Sequence, residues 1–243
     1  MVNSNEGSFI GGAKESVATS RVAGSTISEP NSEPAEQLRR IDKLRDALFV
    51  AVQAEPSFQT ADKYQFPDRA SFNEAIGFTE RCWDKVQRFL AEISQLDYFI
   101  IGSFAVDSLN GLDAISRPHN DIDIVVPEER LEEIRQILST VEGIVAIESD
   151  EATQTVSAWL FLSEERDEPN LSIDIMGAEK ETDNSYSLRG AFIFNGAEFV
   201  QPPRELLGHS ARFASRECVV AAKQIKEKIR GIDIADLKTI GVN

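Results

Sequence analysis

Between residues 35 and 96, apolar side chains recur at intervals of three and four, the spacing of helices that bury one face. Leu38, Ile41, Leu44, Leu48 and Val52 make the first stripe, and Pro56 closes that helix, because a proline neither donates a backbone hydrogen bond nor fits inside a helical turn. Phe72, Ile76, Trp83, Val86, Phe89, Leu90 and Ile93 make the second stripe, over 71–96, with Ser71 or Asp68 as the cap. The aromatic side chains of these helices, Trp83 among them, read as core. The pattern then shifts to short apolar runs. Residues 98–101 and 122–126 are strand candidates, the second rich in β-branched residues and closed by Pro127, with a short helix at 104–109 between them.

An amphipathic helix carrying Leu131, Ile134, Ile137 and Leu138 follows over 128–141, and further strands are expected at 144–148, 155–162 and 171–176. A hairpin around Asn195 and Gly196 is expected within 192–200, and helix from 203 to 237. This is a mixed α/β (α+β) order with a central sheet. It divides into a leader at 1–34, polar and without a period of either kind, a helical prefix at 35–96, a core at 97–200 and a helical region at 201–243.

Composition narrows the function classes. At 243 residues and 42% hydrophobic content, the chain has material for one α/β core with added helices. Its 41 acidic residues against 25 basic ones give a net charge of −16, which repels nucleic acid and anionic membranes and attracts cations. Cys82 and Cys218 lie in no CxxC or Cys/His cluster, so neither a disulfide framework nor a zinc signature is present. No apolar run approaches the ~18 residues of a membrane span, and the first ten residues lack a basic start and an apolar stretch. A cytoplasmic setting is expected.

The chemistry concentrates in residues 98–126, YFIIGSFAVDSLNGLDAISRPHNDIDIVV. Alternation along a strand puts Asp121 and Asp123 on one face and Ile122 and Ile124 on the other. Two carboxylates side by side repel unless a cation lies between them, and Mg²⁺ bound to triphosphate oxygens suits such a pair. Alone, such a pair in an acidic protein is commonly just a strand edge, and a Gly-Ser after a strand is commonly just a tight turn. Here they adjoin. Gly102 and Ser103 lie between a strand and a helix, where the backbone can approach a phosphate while the helix start and the Ser103 hydroxyl offer donors. A phosphate seat next to a carboxylate pair supplies what a triphosphate–metal complex requires.

A third acid, Asp174, sits in the apolar segment LSIDIMG with Ile173 and Ile175 on the opposite face. A charge there needs a partner: a shared metal, a proton to accept as general base, or an Arg or Lys. Arg117 and His119 precede the carboxylate pair and either orient phosphates or acceptor or serve as structural counter-charges. His209 reads as surface or packing. Lys223, Lys226 and Lys228 form a basic helix face.

A strand, Gly-Ser, a helix bearing Asp107 and Gly111, and then Arg117-Pro-His119-Asn-Asp121-Ile-Asp123 together resemble the nucleotidyltransferase superfamily that shares the DNA polymerase β palm. R-x-H-x-D-x-D is similar to the aminoglycoside and lincosamide nucleotidyltransferases of antibiotic resistance and to AbiEii-type toxin enzymes. The seventeen residues between Ser103 and Asp121 exceed the tightest family spacing and suit the resistance-enzyme branch. Lys223 and the RGIDIADLKTIG stretch from Arg230 are similar to a family region with a triphosphate-holding lysine and an RxxDxxDL-like motif.

The resemblance implies a mixed-sheet nucleotidyltransferase fold with flanking N- and C-terminal helices. It further implies that Gly102, Ser103, Arg117, His119 and Lys223 bind nucleotide and that Asp121 and Asp123 coordinate Mg²⁺, with Asp174 as the third acid of a one- or two-ion site. The donor is ATP or another nucleoside triphosphate, and the acceptor a hydroxyl of a small molecule, an aminoglycoside or lincosamide suiting the acidic charge. Two alternatives stand beside this: a toxin-type transferase acting on tRNA or protein, and a nucleotide-binding module without turnover.

Overall fold

A computed structural model of the chain describes residues 33–54, 66–160, 171–182, 184–225 and 230–242. Residues 1–32 of the expected leader, Pro56, Lys226 and Lys228 fall outside the described residues, as does the end of the strand expected at 155–162. Two long helices come first, α1 (Glu33–Ala54) and α2 (Arg69–Glu92). In α2 the expected stripe is buried from Phe72 to Leu90, and Asp68 and Ser71 form a capping box, the Asp68 carboxylate accepting the Ser71 N–H at 2.8 Å. In α1 only Leu48 and Val52 are fully buried, whereas Leu38 faces solvent.

The core is a seven-stranded mixed sheet. Its strands are β1 (Phe99–Ile101), β2 (Asp121–Pro127), β3 (Ile144–Asp150), β4 (Thr155–Leu160), β5 (Leu171–Thr182), β6 (Ser185–Leu188) and β7 (Phe192–Asn195). The main path runs β1-β2-β5-β4-β3, and β6 joins the far half of β5 and pairs with β7. Strand β2 is antiparallel to β1 and parallel to β5, while β4 is antiparallel to both β5 and β3. Helix α3 (Gly102–Leu109) leaves the end of β1 directly, and a 3-10 turn (Glu128–Arg130) leads from β2 into α4 (Leu131–Leu138), which buries Ile134 and Leu138.

Two expectations about the C-terminal half are corrected. No hairpin turns at Asn195 and Gly196: the Asn195 side chain accepts the Ala197 N–H at 2.8 Å and caps a 3-10 turn (Gly196–Val200), while the hairpin lies one strand earlier, its turn at Arg189 and Gly190. The helix expected over 203–237 begins only at α5 (Arg216–Gln224) and resumes as α6 (Gly231–Thr239), after a hairpin of β8 (Arg204–Leu206) and β9 (His209–Ala211). Leu207 and Gly208 both take positive φ in its two-residue turn, a conformation that a leucine does not signal.

That hairpin is pinned to the core. Trp83, fully buried, stacks on Phe104 at 5.1 Å between ring centroids and donates its indole N–H to the Leu206 carbonyl at 3.0 Å. The segment after β9 covers the open edge of β1, the Ile100 N–H reaching Arg212 O and the Ala214 N–H reaching Ile100 O, each at 2.8 Å. Trp83→Phe keeps a ring in the core but orphans the Leu206 carbonyl. A loss of about 1–3 kcal/mol of stability is expected, measurable by urea denaturation.

Candidate active site

Strand register assembles the acids. Ile101, the last residue of β1, pairs with Asp123 of β2, and Asp123 pairs in turn with Asp174 of β5. Residues paired in parallel register point to the same face, so Asp123 and Asp174 stand side by side on strands about 4.8 Å apart, with Asp121 one step before them opposite Ser172. Asp121 is exposed and the other two acids are half-buried, whereas Ile122, Ile124, Ile173 and Ile175 are fully buried on the opposite face. Two hydroxyls orient Asp174: Ser157 donates to Oδ1 at 2.7 Å and Ser172 to Oδ2 at 3.4 Å. Among the described residues no Arg or Lys forms an ion pair with it.

Because Gly102 directly follows Ile101, it lies beside Asp123. Its φ of 74° is left-handed, and a Cβ there would run into the Asp123 carboxylate, so only glycine permits this approach. No side chain caps the start of α3, which leaves its first N–H groups as donors. Ser103 is half-buried at the same point.

Behind the seat lies a buried ionic cluster. Arg117 grips Asp236 of α6 in a two-bond fork, Nε to Oδ1 at 3.0 Å and Nη2 to Oδ2 at 2.9 Å, while Nη2 also donates to the Ser103 hydroxyl and Nη1 to Pro118 O. Lys223 of α5 donates to Asp236 at 2.8 Å and to Asp233 at 3.1 Å, and Arg230 closes on Asp233 at 2.8 Å. Burial works to raise the Asp236 carboxyl, but the charges and hydrogen bonds of Arg117 and Lys223 outweigh it and hold the group well below the usual carboxylate range. Burial likewise opposes the charge on Arg117, and Asp236 overrides it and raises the guanidinium.

His119 points the other way. Its ring is buried against Phe104, with Nε2 2.7 Å from Asp107 Oδ2, and Ser116 donates to the other Asp107 oxygen. Its backbone N–H donates to Thr79 of α2 at 3.0 Å, and Arg45 of α1 donates to Ile115 O at 2.8 Å, so both prefix helices hold the segment that carries the acids.

Residues 85–184, which span β1 to β5 and all three acids, match the family model described as aminoglycoside-2''-adenylyltransferase. The match covers 100 of the 243 residues. Two solved structures are similar to it: a lincosamide antibiotic adenylyltransferase, LnuA, with lincomycin bound, and ANT(2")-Ia in complex with adenylyl-2"-tobramycin. The first is 19% identical with a TM-score of 0.48, over 66% of this chain and 94% of that one. The second is 18% identical with a TM-score of 0.46, over 67% of this chain and 87% of that one. No curated protein matches the chain.

Gly102, Ser103, Asp121, Asp123 and Asp174 come together in the structure, whereas the side chains of Arg117, His119 and Lys223 are engaged by other residues of the chain. The His119 ring is buried against Phe104 with Nε2 on Asp107, and its backbone is held by Thr79. Lys223 has its ammonium between two buried carboxylates. Arg117 is the counter-charge of Asp236 and reaches the seat only through Ser103. Sequence reasoning missed Ser157, whose contact depends on β4 lying next to β5, and Ser172, two residues before Asp174 on the same strand.

Protonation of Asp236 removes the partner of two buried cations. Its folded pKa is depressed, so its contribution to stability is present above about pH 4 and is lost as pH falls toward the folded value. Asp236→Asn is therefore expected to lose about 3–5 kcal/mol at pH 7. Urea titrations at stepwise lower pH should show the gap to wild type closing below about pH 4.

Proposed function

We propose that this chain transfers an adenylyl group from ATP to a hydroxyl of a polycationic amino-sugar antibiotic. The observation that carries this reading is the row of Asp123 and Asp174 on neighbouring strands with Gly102 beside them at the end of β1, within the segment that matches an adenylyltransferase family. The net charge of −16 supports the acceptor class, since it favours a small polycation and opposes an RNA or DNA acceptor.

The residues fit a hard divalent cation. Asp121 and Asp123 offer only oxygen donors from one face, and the absent side chain of Gly102 leaves room for phosphate beside Asp123. Mg²⁺ bound there would align the triphosphate and offset the charge that develops as pyrophosphate leaves. Gly102, Ser103 and the uncapped start of α3 hold phosphate oxygens by hydrogen bonds. Asp174 takes the proton of the attacking hydroxyl, with Ser157 and Ser172 aiming its carboxylate. Among the described residues no helix is long and apolar enough to cross a membrane.

The test is pyrophosphate release from ATP, GTP, CTP and UTP with Mg²⁺ across aminoglycosides, lincosamides and bulk tRNA. Release is expected with ATP and one or more aminoglycosides, falling on the order of a hundredfold or more in Asp121→Ala and Asp123→Ala. Gly102→Ala should fall similarly, because its methyl group displaces the Asp123 carboxylate. Turnover with tRNA alone would transfer the reading to a toxin-type enzyme. ATP binding without turnover on any acceptor would leave a binding module.

A further inference from the structure

Arg117, Lys223, Arg230, Asp233 and Asp236 form an ionic cluster behind the phosphate seat. We propose that Asp236 is a positioning residue of this nucleotidyltransferase: acting through Arg117, it turns the Ser103 hydroxyl into a dedicated hydrogen-bond donor for the triphosphate. The inference rests on the reading of Gly102 and Ser103 as the triphosphate seat.

A serine hydroxyl has one proton to give and two lone pairs to fill, and by itself it is as ready to accept as to donate. A phosphate oxygen offers no proton, so a serine that binds it has to donate. Arg117 decides the matter at Ser103. Guanidinium nitrogens only donate, and Nη2 gives one of its protons to the Ser103 oxygen. That occupies an acceptor site on Oγ and leaves the hydroxyl proton for a ligand at the mouth of the seat.

Arg117 is itself immobile. Its Nε and the other Nη2 proton fork onto Asp236, and Nη1 is spent on the carbonyl of Pro118. Asp236 lies 119 residues further along the chain and is fixed in turn by the Lys223 ammonium. The five side chains Arg117, Lys223, Arg230, Asp233 and Asp236 carry one more positive charge than negative, in a chain whose net charge is −16. Helix α6 thus belongs to the phosphate seat although none of its side chains reaches the ligand.

Titration calorimetry of the full chain with ATP and with AMP, both in the presence of Mg²⁺, tests this. Arg117→Lys retains the charge against Asp236 but cannot serve Asp236 and Ser103 at once, because a lysine lacks the planar fork. It should weaken ATP binding about tenfold and AMP binding less than about twofold. Asp236→Asn should do the same. In a Ser103→Ala background, either change should weaken ATP binding less than about twofold further, since the hydroxyl it acts on is gone.

Equal losses with and without Ser103, equal losses for ATP and AMP, or no loss at all would each overturn the proposal. Should Asp236→Asn fail to fold, the lysine variant decides alone. A wild-type chain that binds no ATP would sink the triphosphate-seat reading and this proposal with it. Intact ATP binding with additive variants would sink the proposal only.

Discussion

Strand β2 lies between an antiparallel neighbour and a parallel one, and that single arrangement places every group of the site. The antiparallel pairing of β1 brings the end of that strand to Asp123, so the chain enters α3 at Gly102 beside the carboxylate. The parallel pairing of β5 brings Asp174 level with Asp123 on the same face. Backbone hydrogen bonds of the ladder fix both, and a slip of one residue in either would send an acid into the apolar core. The isoleucines that alternate with the acids on both strands make such a slip unfavourable, because they would then face solvent.

Helices outside the sheet constrain the segment that no strand holds. Between α3 and β2 the chain crosses Asn110 to Asn120 without regular structure, and it is secured from three directions. Arg45 of α1 takes the Ile115 carbonyl, Thr79 of α2 takes the His119 backbone, and Asp236 of α6 takes the Arg117 guanidinium. The His119 ring ties the same segment back to Asp107 on α3. Arg and His of the R-x-H-x-D-x-D pattern are therefore clamps, one to each side of the strand that carries the acids. Burying so many charges is tolerable because each has partners of opposite sign at hydrogen-bond distance.

That division separates the residues whose placement is local from those whose placement is not. Gly102, Ser103, Asp121 and Asp123 lie within 22 consecutive residues, and their roles follow from local rules: left-handed glycine, helix start and alternation along one strand. Asp174 was legible as a charge in an apolar strand, although its neighbours were not. A lysine or histidine near a phosphate-binding motif looks the same in sequence whether its partner is a ligand or a carboxylate of the folded chain. Lys223 meets Asp233 and Asp236, 10 and 13 residues on, and His119 meets Asp107, 12 residues back, once the segments that carry them pack together.

The sequence by itself determined the helical prefix, the strand–glycine–helix turn and the shared face of Asp121 and Asp123. Each is set by the period of apolar residues or by the conformational range of a single residue, both of which act between near neighbours. Tertiary structure alone decided that β5 lies against β2, that Ser157 and Ser172 hold Asp174, that Leu207 and Gly208 close a hairpin where helix was expected, and that α6 stands behind the phosphate seat. Those outcomes depend on which surfaces and charges meet between separate elements, as far as 119 residues apart for Arg117 and Asp236, and no local pattern encodes that choice.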